Sequence, residues 1–104
     1  MKVIINDCYG GFGVKENIVL GLGYGKYDTY SYKLRTDERL INMLENGENV
    51  GDEYSNLIVA TIPDNVTDWW IDEYDGLESL YYIIDGHREE WYPDEEDDEE
   101  DDEE

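Results

Sequence analysis

The chain has 104 residues, enough for one domain with a modest hydrophobic core, and its 29 acidic against 7 basic residues give a formal net charge of −22. A surface this negative repels the nucleic-acid backbone and anionic membranes, so neither is expected as a direct partner. The single cysteine, Cys8, excludes an internal disulfide and a zinc site built from several cysteines.

The distribution of apolar and acidic residues predicts a soluble protein of the cytoplasm. No apolar run approaches the roughly 18 residues needed to span a bilayer, and the N-terminus lacks the apolar core of a signal peptide. The final eleven residues, 94–104, are all acidic and are predicted to be a disordered tail, because such a run buries nothing and repels itself. Residues 1–93 still hold 18 of the 29 acidic residues, and we expect them to form a single domain.

The first 22 residues are predicted to form a strand, a loop and a short helix. The run Val3-Ile4-Ile5 favours a strand that is buried on both faces and therefore lies centrally in a sheet. Three glycines between residues 8 and 13 predict a loop, since glycine weakens both regular structures. Apolar residues at helical spacing predict a short helix within 14–22.

The middle of the chain is predicted to form a strand, a helix and a second strand. Alternating tyrosines predict a strand with one aromatic face over 27–34. The clearest helix covers 36–46, with Thr36 as its N-terminal cap and Gly47 as its left-handed stop. A second strand of the buried type is predicted over 56–62.

The segment 68–84 contains two runs of β-branched and aromatic residues separated by Asp75-Gly76. Both residues tolerate the positive φ of a type I′ turn, so the segment predicts a β-hairpin. A turn over 85–88 and a last ordered segment over 89–93 follow. These elements predict an α+β fold, with a single mixed or antiparallel sheet of about five strands and two helices on one of its faces.

Carboxylates and aromatic rings are interleaved along this hairpin. Alternation puts Trp70 and Asp72 on one face, and Trp69 and Glu73 on the other. Successive same-face residues lie about 6.5–7 Å apart, close to the spacing of phosphates along a DNA strand, so a rigid carboxylate array can occupy a basic nucleic-acid-binding groove. A solubilising acidic face is the simpler alternative. The predicted partner-binding residues are Asp68, Trp69, Trp70, Asp72, Glu73, Asp75, Glu78 and Asp85.

The glycine-rich loop supports a second functional interpretation. Gly10-Gly11-x-Gly13 follows a predicted strand and precedes a predicted helix, as in loops that hold a phosphate through backbone N–H groups. Neither a complete P-loop nor a complete dinucleotide motif is present, and a tight structural turn also explains these glycines. The alternative function is a domain that binds or sequesters a small ligand such as a nucleotide. Its predicted ligand-binding residues are Asn6, Tyr9, Gly10, Gly11, Gly13, Arg35, His87 and Arg88.

No residue pattern in the chain indicates an enzyme, a metal site or a cofactor. His87 is the only histidine, so a metal site based on histidines and a Ser-His-Asp triad both lack parts. The calcium-loop pattern of EF-hands is absent. Cys8 and His87 are more simply a buried thiol and a surface imidazole than a nucleophile and its base.

Four segments resemble a group of small bacteriophage and prophage proteins. They are Ile-Ile-Asn-Asp-Cys-Tyr-Gly-Gly-Phe-Gly at 4–13, Arg35-Thr36-Asp37, Ile-Asp-Glu-Tyr-Asp-Gly-Leu-Glu at 71–78, and His87-Arg88 with Trp91. The resemblance covers residues 2–92 and implies a phage gene product, but it brings no assigned activity. The acidic tail and the paired Trp69-Trp70 depart from the group.

Together, the charge and the resemblance lead to one expected function. We expect a phage-encoded acidic inhibitor, not an enzyme, that works by DNA mimicry in the manner of an anti-CRISPR protein. Its partner would be a basic host protein of defence or DNA processing in the bacterial cytosol, bound at its nucleic-acid-binding site.

Overall fold

The computed structural model describes residues 1–93, so the predicted disordered tail, 94–104, lies outside the described residues. No helix in the described range is long and apolar enough to cross a membrane. Two 3₁₀ helices, Lys26–Asp28 and Tyr32–Thr36, lie between the two α-helices. In chain order, the strands and α-helices are β1 (Lys2–Asn6), α1 (Glu16–Gly21), α2 (Glu38–Glu45), β2 (Leu57–Thr61), β3 (Asp68–Tyr74), β4 (Leu77–Ile84) and β5 (His87–Glu90).

The strands form two antiparallel sheets instead of the predicted single sheet. In the first sheet β1 pairs with β2, and Lys2 lies opposite Thr61. In the second sheet β4 lies between β3 and β5. The α+β class is therefore confirmed, whereas the single five-stranded sheet was wrong.

Side chains take the place of a third strand along the second edge of β1. The Ile4 carbonyl accepts a hydrogen bond from Arg35 Nη1 at 3.1 Å, and the Asn6 backbone N–H donates to Glu78 Oε1 at 2.8 Å. These backbone groups point away from β2 and would otherwise be buried without partners. One arginine and one glutamate thus end the first sheet at two strands.

The core consists of two clusters that share β1. Ile4 packs in one cluster with residues of both α-helices, such as Val19 and Leu40. Val3 and Ile5, on the opposite face of β1, pack in the other cluster with the three-stranded sheet. The prediction that this strand is buried on both faces is confirmed, although it pairs with only one neighbour.

The cap of helix α2 is Asp37, one residue later than the predicted Thr36. Asp37 Oδ1 accepts hydrogen bonds from the backbone N–H groups of Arg39 at 2.9 Å and Leu40 at 3.4 Å, whereas Thr36 ends the preceding 3₁₀ helix. Hydrogen bonds from the Arg39 side chain hold the pKa of Asp37 well below its usual range. Gly47 has a φ of 87°, which confirms it as the stop.

The predicted strand over 27–34 was wrong, because this segment forms 3₁₀ turns. Asp28 accepts a hydrogen bond from the Gly25 N–H at 2.8 Å, and the Ser31 hydroxyl accepts one from the Lys33 N–H at 3.3 Å. Such local side-chain bonds give the backbone partners that a neighbouring strand would otherwise provide. Leu34 is consequently turned into the core, while Tyr27 stays exposed.

Two Asp-Gly turns connect the strands of the three-stranded sheet. Asp75 and Gly76 have φ values of 53° and 93°, which confirms the predicted hairpin. Asp85 and Gly86 repeat this geometry with φ values of 52° and 79°. The predicted four-residue turn over 85–88 is therefore only two residues long, and β5 begins at His87.

Candidate partner-binding face

The three-stranded sheet has one face against the core and one face away from it. Leu80 is fully buried on the inner face, where Trp69, Ile71 and Tyr82 pack on the same cluster. Because strand side chains alternate, the register defines the opposite face, which we call the outer face. Its residues are Asp68, Trp70, Asp72, Tyr74, Leu77, Ser79, Tyr81, Ile83, Arg88 and Glu90.

An aromatic row crosses the outer face. Trp70 and Tyr81 lie opposite each other in the register, and their rings stack with centroids 5.8 Å apart at 16°. The Arg88 guanidinium carbon lies 5.5 Å from the centroid of the Tyr81 ring. Neither ring belongs to the core clusters, and Tyr74 farther along β3 is 77% exposed. Trp70 and Tyr81 hold each other in place and are half-buried, so part of each ring remains accessible.

Three carboxylates surround this aromatic row. Asp68 and Asp72 flank Trp70 on β3, about 13 Å apart at the rise of an extended strand. Glu90 lies opposite Tyr81 on β5, two strand spacings or about 9.6 Å from Trp70. The outer face therefore combines aromatic anchors with an excess of negative charge, the combination that suits a basic protein surface.

The structure brings only part of the predicted partner-binding set together. Asp68, Trp70 and Asp72 share the outer face, as alternation predicted. Trp69, Glu73 and Glu78 belong to the inner side, where a Glu73 carboxylate oxygen accepts a hydrogen bond from the Gly76 N–H.

The remaining two predicted partner-binding residues lie at opposite ends of β4. Asp75 is at the turn between β3 and β4, and Asp85 is at the turn between β4 and β5. The strand rise separates these two turns by about 25 Å. The eight predicted residues thus do not form one continuous carboxylate array.

Glu78 forms a buried ion pair with Arg35. Its two carboxylate oxygens accept hydrogen bonds from Arg35 Nη1 at 2.6 Å and Nη2 at 2.7 Å, and both side chains are less than 10% exposed. Arg35 also lies 3.9 Å over the Phe12 ring. With the bonds to Ile4 and Asn6, the pair joins β1, β4 and the second 3₁₀ helix. Its role is structural.

The glycine-rich loop is packed tightly against its neighbours. A Cβ atom added at Gly10 would lie 1.6 Å from the Tyr54 carbonyl oxygen, and one at Gly13 would lie 2.1 Å from a carboxylate oxygen of Asp52. A Cβ at Gly76 would lie 2.3 Å from the Tyr9 carbonyl oxygen. Close approach of neighbouring backbone accounts for Gly10 and Gly76, and close approach of the Asp52 side chain accounts for Gly13. The Asp52 carboxylate also disfavours an anion there.

The alternative ligand-binding residues are also separated. The Asn6 side chain is buried and fully occupied: its Nδ2 donates to the carbonyls of Cys8 and Gly76, and its Oδ1 accepts from the Asn56 N–H. Arg35 is occupied by Glu78. His87 and Arg88 begin β5, at the end of β4 remote from the loop, about 24 Å away along the strand.

Tyr81 and Glu90 are among the outer-face residues that the sequence prediction missed. Once the Asp75-Gly76 turn is fixed, counting back along the two strands places Tyr81 opposite Trp70, so the sequence contained this signal. Glu90 depends on the second turn, which the sequence reading made two residues too long. Among residues 1–93, no group of three or more His, Cys, Asp and Glu side chains is arranged to hold a metal ion.

Comparison with known proteins gives no match: no family model fits the chain, and no curated protein or solved structure is significantly similar to it.

Proposed function

We propose that this chain is a phage-encoded inhibitor, without catalytic activity, that binds the basic nucleic-acid-binding site of a host defence or DNA-processing protein. The observation that carries the proposal is the outer face, where Trp70 stacked on Tyr81 lies among Asp68, Asp72 and Glu90. Short turns hold all three strands, so these groups need little ordering when they bind.

The charge of the whole chain supports the same partner. A formal charge of −22 accelerates encounter with a basic surface and repels the acidic surfaces of most other proteins. Extended basic surfaces are typical of proteins that bind DNA or RNA. The distance of about 13 Å between Asp68 and Asp72 corresponds to about two phosphate steps along a strand, because successive phosphates lie roughly 6.5–7 Å apart. The carboxylates of Asp68 and Asp72 would therefore take the places of separate phosphates in the partner's binding site, and the Trp70 ring between them would make an aromatic contact.

The test uses two charge-reversed variants as bait in lysates of a bacterial host. Asp68→Lys with Asp72→Lys reverses two carboxylates of the outer face. Glu48→Lys with Glu53→Lys makes the same charge change in an exposed loop. We expect a host protein that binds the unaltered chain and the loop variant but not the outer-face variant. Short DNA duplexes or single-stranded RNA should displace the chain from this protein.

Two outcomes would overturn the proposal. The first is that every captured protein binds both variants equally well. The acidic residues would then serve only to keep the protein soluble. The second is that the captured protein binds the chain equally well when its nucleic-acid site is already filled. Either result removes mimicry as the mechanism.

A further inference from the structure

Strand β3 forms an open edge of the three-stranded sheet. A two-residue turn makes Tyr74 and Leu77 a hydrogen-bonded pair, so the backbone groups of Trp69, Ile71 and Glu73 point away from β4. Among residues 1–93, these outward groups make no backbone hydrogen bond to another segment. Within the described residues, the Trp69 N–H donates a hydrogen bond only to the side chain of Asp68, at 2.9 Å.

The other sheet edges are less suited to recruiting a charged strand. The second edge of β1 is closed by Arg35 and Glu78. β5 is four residues long, and β2, Leu57-Ile58-Val59-Ala60-Thr61, has no charged side chain. β3 is seven residues long, and its ladder with β4 runs from Asp68 to Tyr74 without an interruption. Proteins usually protect such an edge with a proline, a bulge or charged side chains, and β3 carries the charges of Asp68, Asp72 and Glu73, which repel another acidic strand but not a basic one.

We propose that the free edge of β3 pairs with an extended segment of the partner protein that carries two basic residues four positions apart, with an apolar residue midway between them. This inference rests on the proposed function and specifies how the basic partner is held. A strand added antiparallel to β3 would place alternate side chains beside Asp68, Trp70 and Asp72 on the outer face. Arginine or lysine fits opposite the two aspartates, and an apolar residue fits opposite Trp70.

Charge distinguishes this partner from a second copy of the chain. β3 carries Asp68, Asp72 and Glu73 within seven residues, and each copy has a formal charge of −22. Pairing two such strands would bring carboxylates together, and like charges across a sheet are destabilising. A basic strand instead gains both the backbone hydrogen bonds and the ion pairs.

The probe is the peptide Ser-Thr-Arg-Thr-Leu-Thr-Arg, blocked at both ends. Its two arginines lie opposite Asp68 and Asp72, its leucine opposite Trp70, and its small threonines opposite the outward backbone groups. The matched control peptide has N-methyl groups on the three threonines, which preserves its charge but removes the N–H groups facing β3. We expect the control to bind at least about tenfold more weakly, because several hydrogen bonds are lost.

A pair of protein variants tests the same edge from the other side. Glu73→Pro removes an outward N–H that β4 does not use, and proline is tolerated at that position of an edge strand. Glu73→Ala loses the same carboxylate and keeps the N–H. The peptide should bind Glu73→Ala, should bind Glu73→Pro at least about fivefold more weakly, and should slow hydrogen exchange at Ile71 in the unaltered chain.

The outcomes separate this inference from the proposed function. Equal binding of the two peptides, or no binding of either, overturns edge pairing even if the host partner still requires Asp68 and Asp72. Self-association that Glu73→Pro abolishes overturns it in favour of a second copy. If instead the peptide pairs as expected but the host partner does not compete with nucleic acid, the edge is real and mimicry is wrong.

Discussion

Glu78 and Asp72 are carboxylates on adjacent strands of one sheet, and the register sets them one residue apart. Glu78 points inward and is buried against Arg35, whereas Asp72 points outward and is exposed beside Trp70. The tryptophans divide in the same way: Trp69 packs on the core and Trp70 does not. Position in the pleat decides whether an acidic or aromatic residue stabilises the fold or remains available to a partner.

The inner carboxylate should produce the largest effect on stability. Replacing Glu78 with Ala leaves the Arg35 charge buried without a partner, and we expect a loss of about 3–5 kcal/mol in the free energy of unfolding. Urea denaturation followed by tryptophan fluorescence measures it. A loss below about 1 kcal/mol would show that the ion pair contributes little.

The double variant Arg35→Met with Glu78→Leu sharpens this prediction. Removing both charges usually restores stability. Here the Ile4 carbonyl and the Asn6 N–H would also lose their partners, so about 1–3 kcal/mol should remain lost. Full recovery would mean that the edge of β1 needs no hydrogen bonds from these side chains.

The adjacent tryptophans test the two faces with one residue type. Trp69 packs on the core and stacks on Tyr32 with ring centroids 5.5 Å apart, so Trp69→Ala should cost about 3 kcal/mol of stability. Trp70→Ala should cost about 1 kcal/mol of stability and roughly 2 kcal/mol or more of partner binding. Thermal unfolding measures the first quantity and titration calorimetry the second. Equal stability losses would place both rings in the core.

The two Asp-Gly turns at the ends of β4 differ in how closely their glycines are packed. Gly76 lies against the glycine-rich loop, while a Cβ at Gly86 would meet no atom of residues 1–93 within 4 Å. Gly86→Ala should therefore cost about 1 kcal/mol for its positive φ alone. Gly76→Ala adds overlap with the Tyr9 carbonyl and should cost about 2–4 kcal/mol by urea denaturation. Similar losses of stability for the two variants would show that the glycine-rich loop moves away from the added methyl group at little cost.

How much the sequence could predict depends on how local each signal is. The hairpin at Asp75-Gly76 and the stop of α2 at Gly47 follow from single residues that tolerate positive φ, and both predictions were confirmed. The division into two sheets depends on Arg35 and Glu78, which are 43 residues apart. The periodic spacing of apolar residues along the sequence cannot predict an ion pair between residues so far apart. The grouping of Asp68, Trp70 and Asp72 on one face could be predicted from alternation. Which of the two faces packs on the core could not.

Asp37 is an intermediate case, a carboxylate held by local bonds at the start of α2. Asp37→Ala should cost about 1 kcal/mol, because the cap is lost. Asp37→Asn keeps a capping oxygen, but it loses the charge and the Oδ2 acceptor of the hydrogen bonds from the Tyr24 hydroxyl and Arg39 Nη2. Since the folded-state pKa of Asp37 is depressed, the stability due to its charge is complete above the ordinary aspartate pKa of about 3.9 and is lost as pH falls below it.

The measurement for Asp37 is the difference in free energy of unfolding between the unaltered chain and Asp37→Asn. This difference should be largest near neutral pH and should shrink as the pH falls from about 4 toward 2. Glu38→Gln, a change at the exposed neighbour, serves as the control. A difference that does not change across this range would mean that the bonds from Arg39 do not favour the ionised form.

The outer carboxylates should have the smallest effect on stability, which is what makes them suitable for binding. Neither Asp68 nor Asp72 is among the ion-paired residues of the described chain, and both are exposed. Asp68→Asn with Asp72→Asn should therefore change the free energy of unfolding by less than about 0.5 kcal/mol, as should Glu48→Gln with Glu53→Gln in the loop. The first pair should slow association with the basic partner much more than the second pair does, and this difference should narrow as added salt screens the charges. A loss of stability specific to the first pair would mean that the outer face, like the inner one, serves the fold.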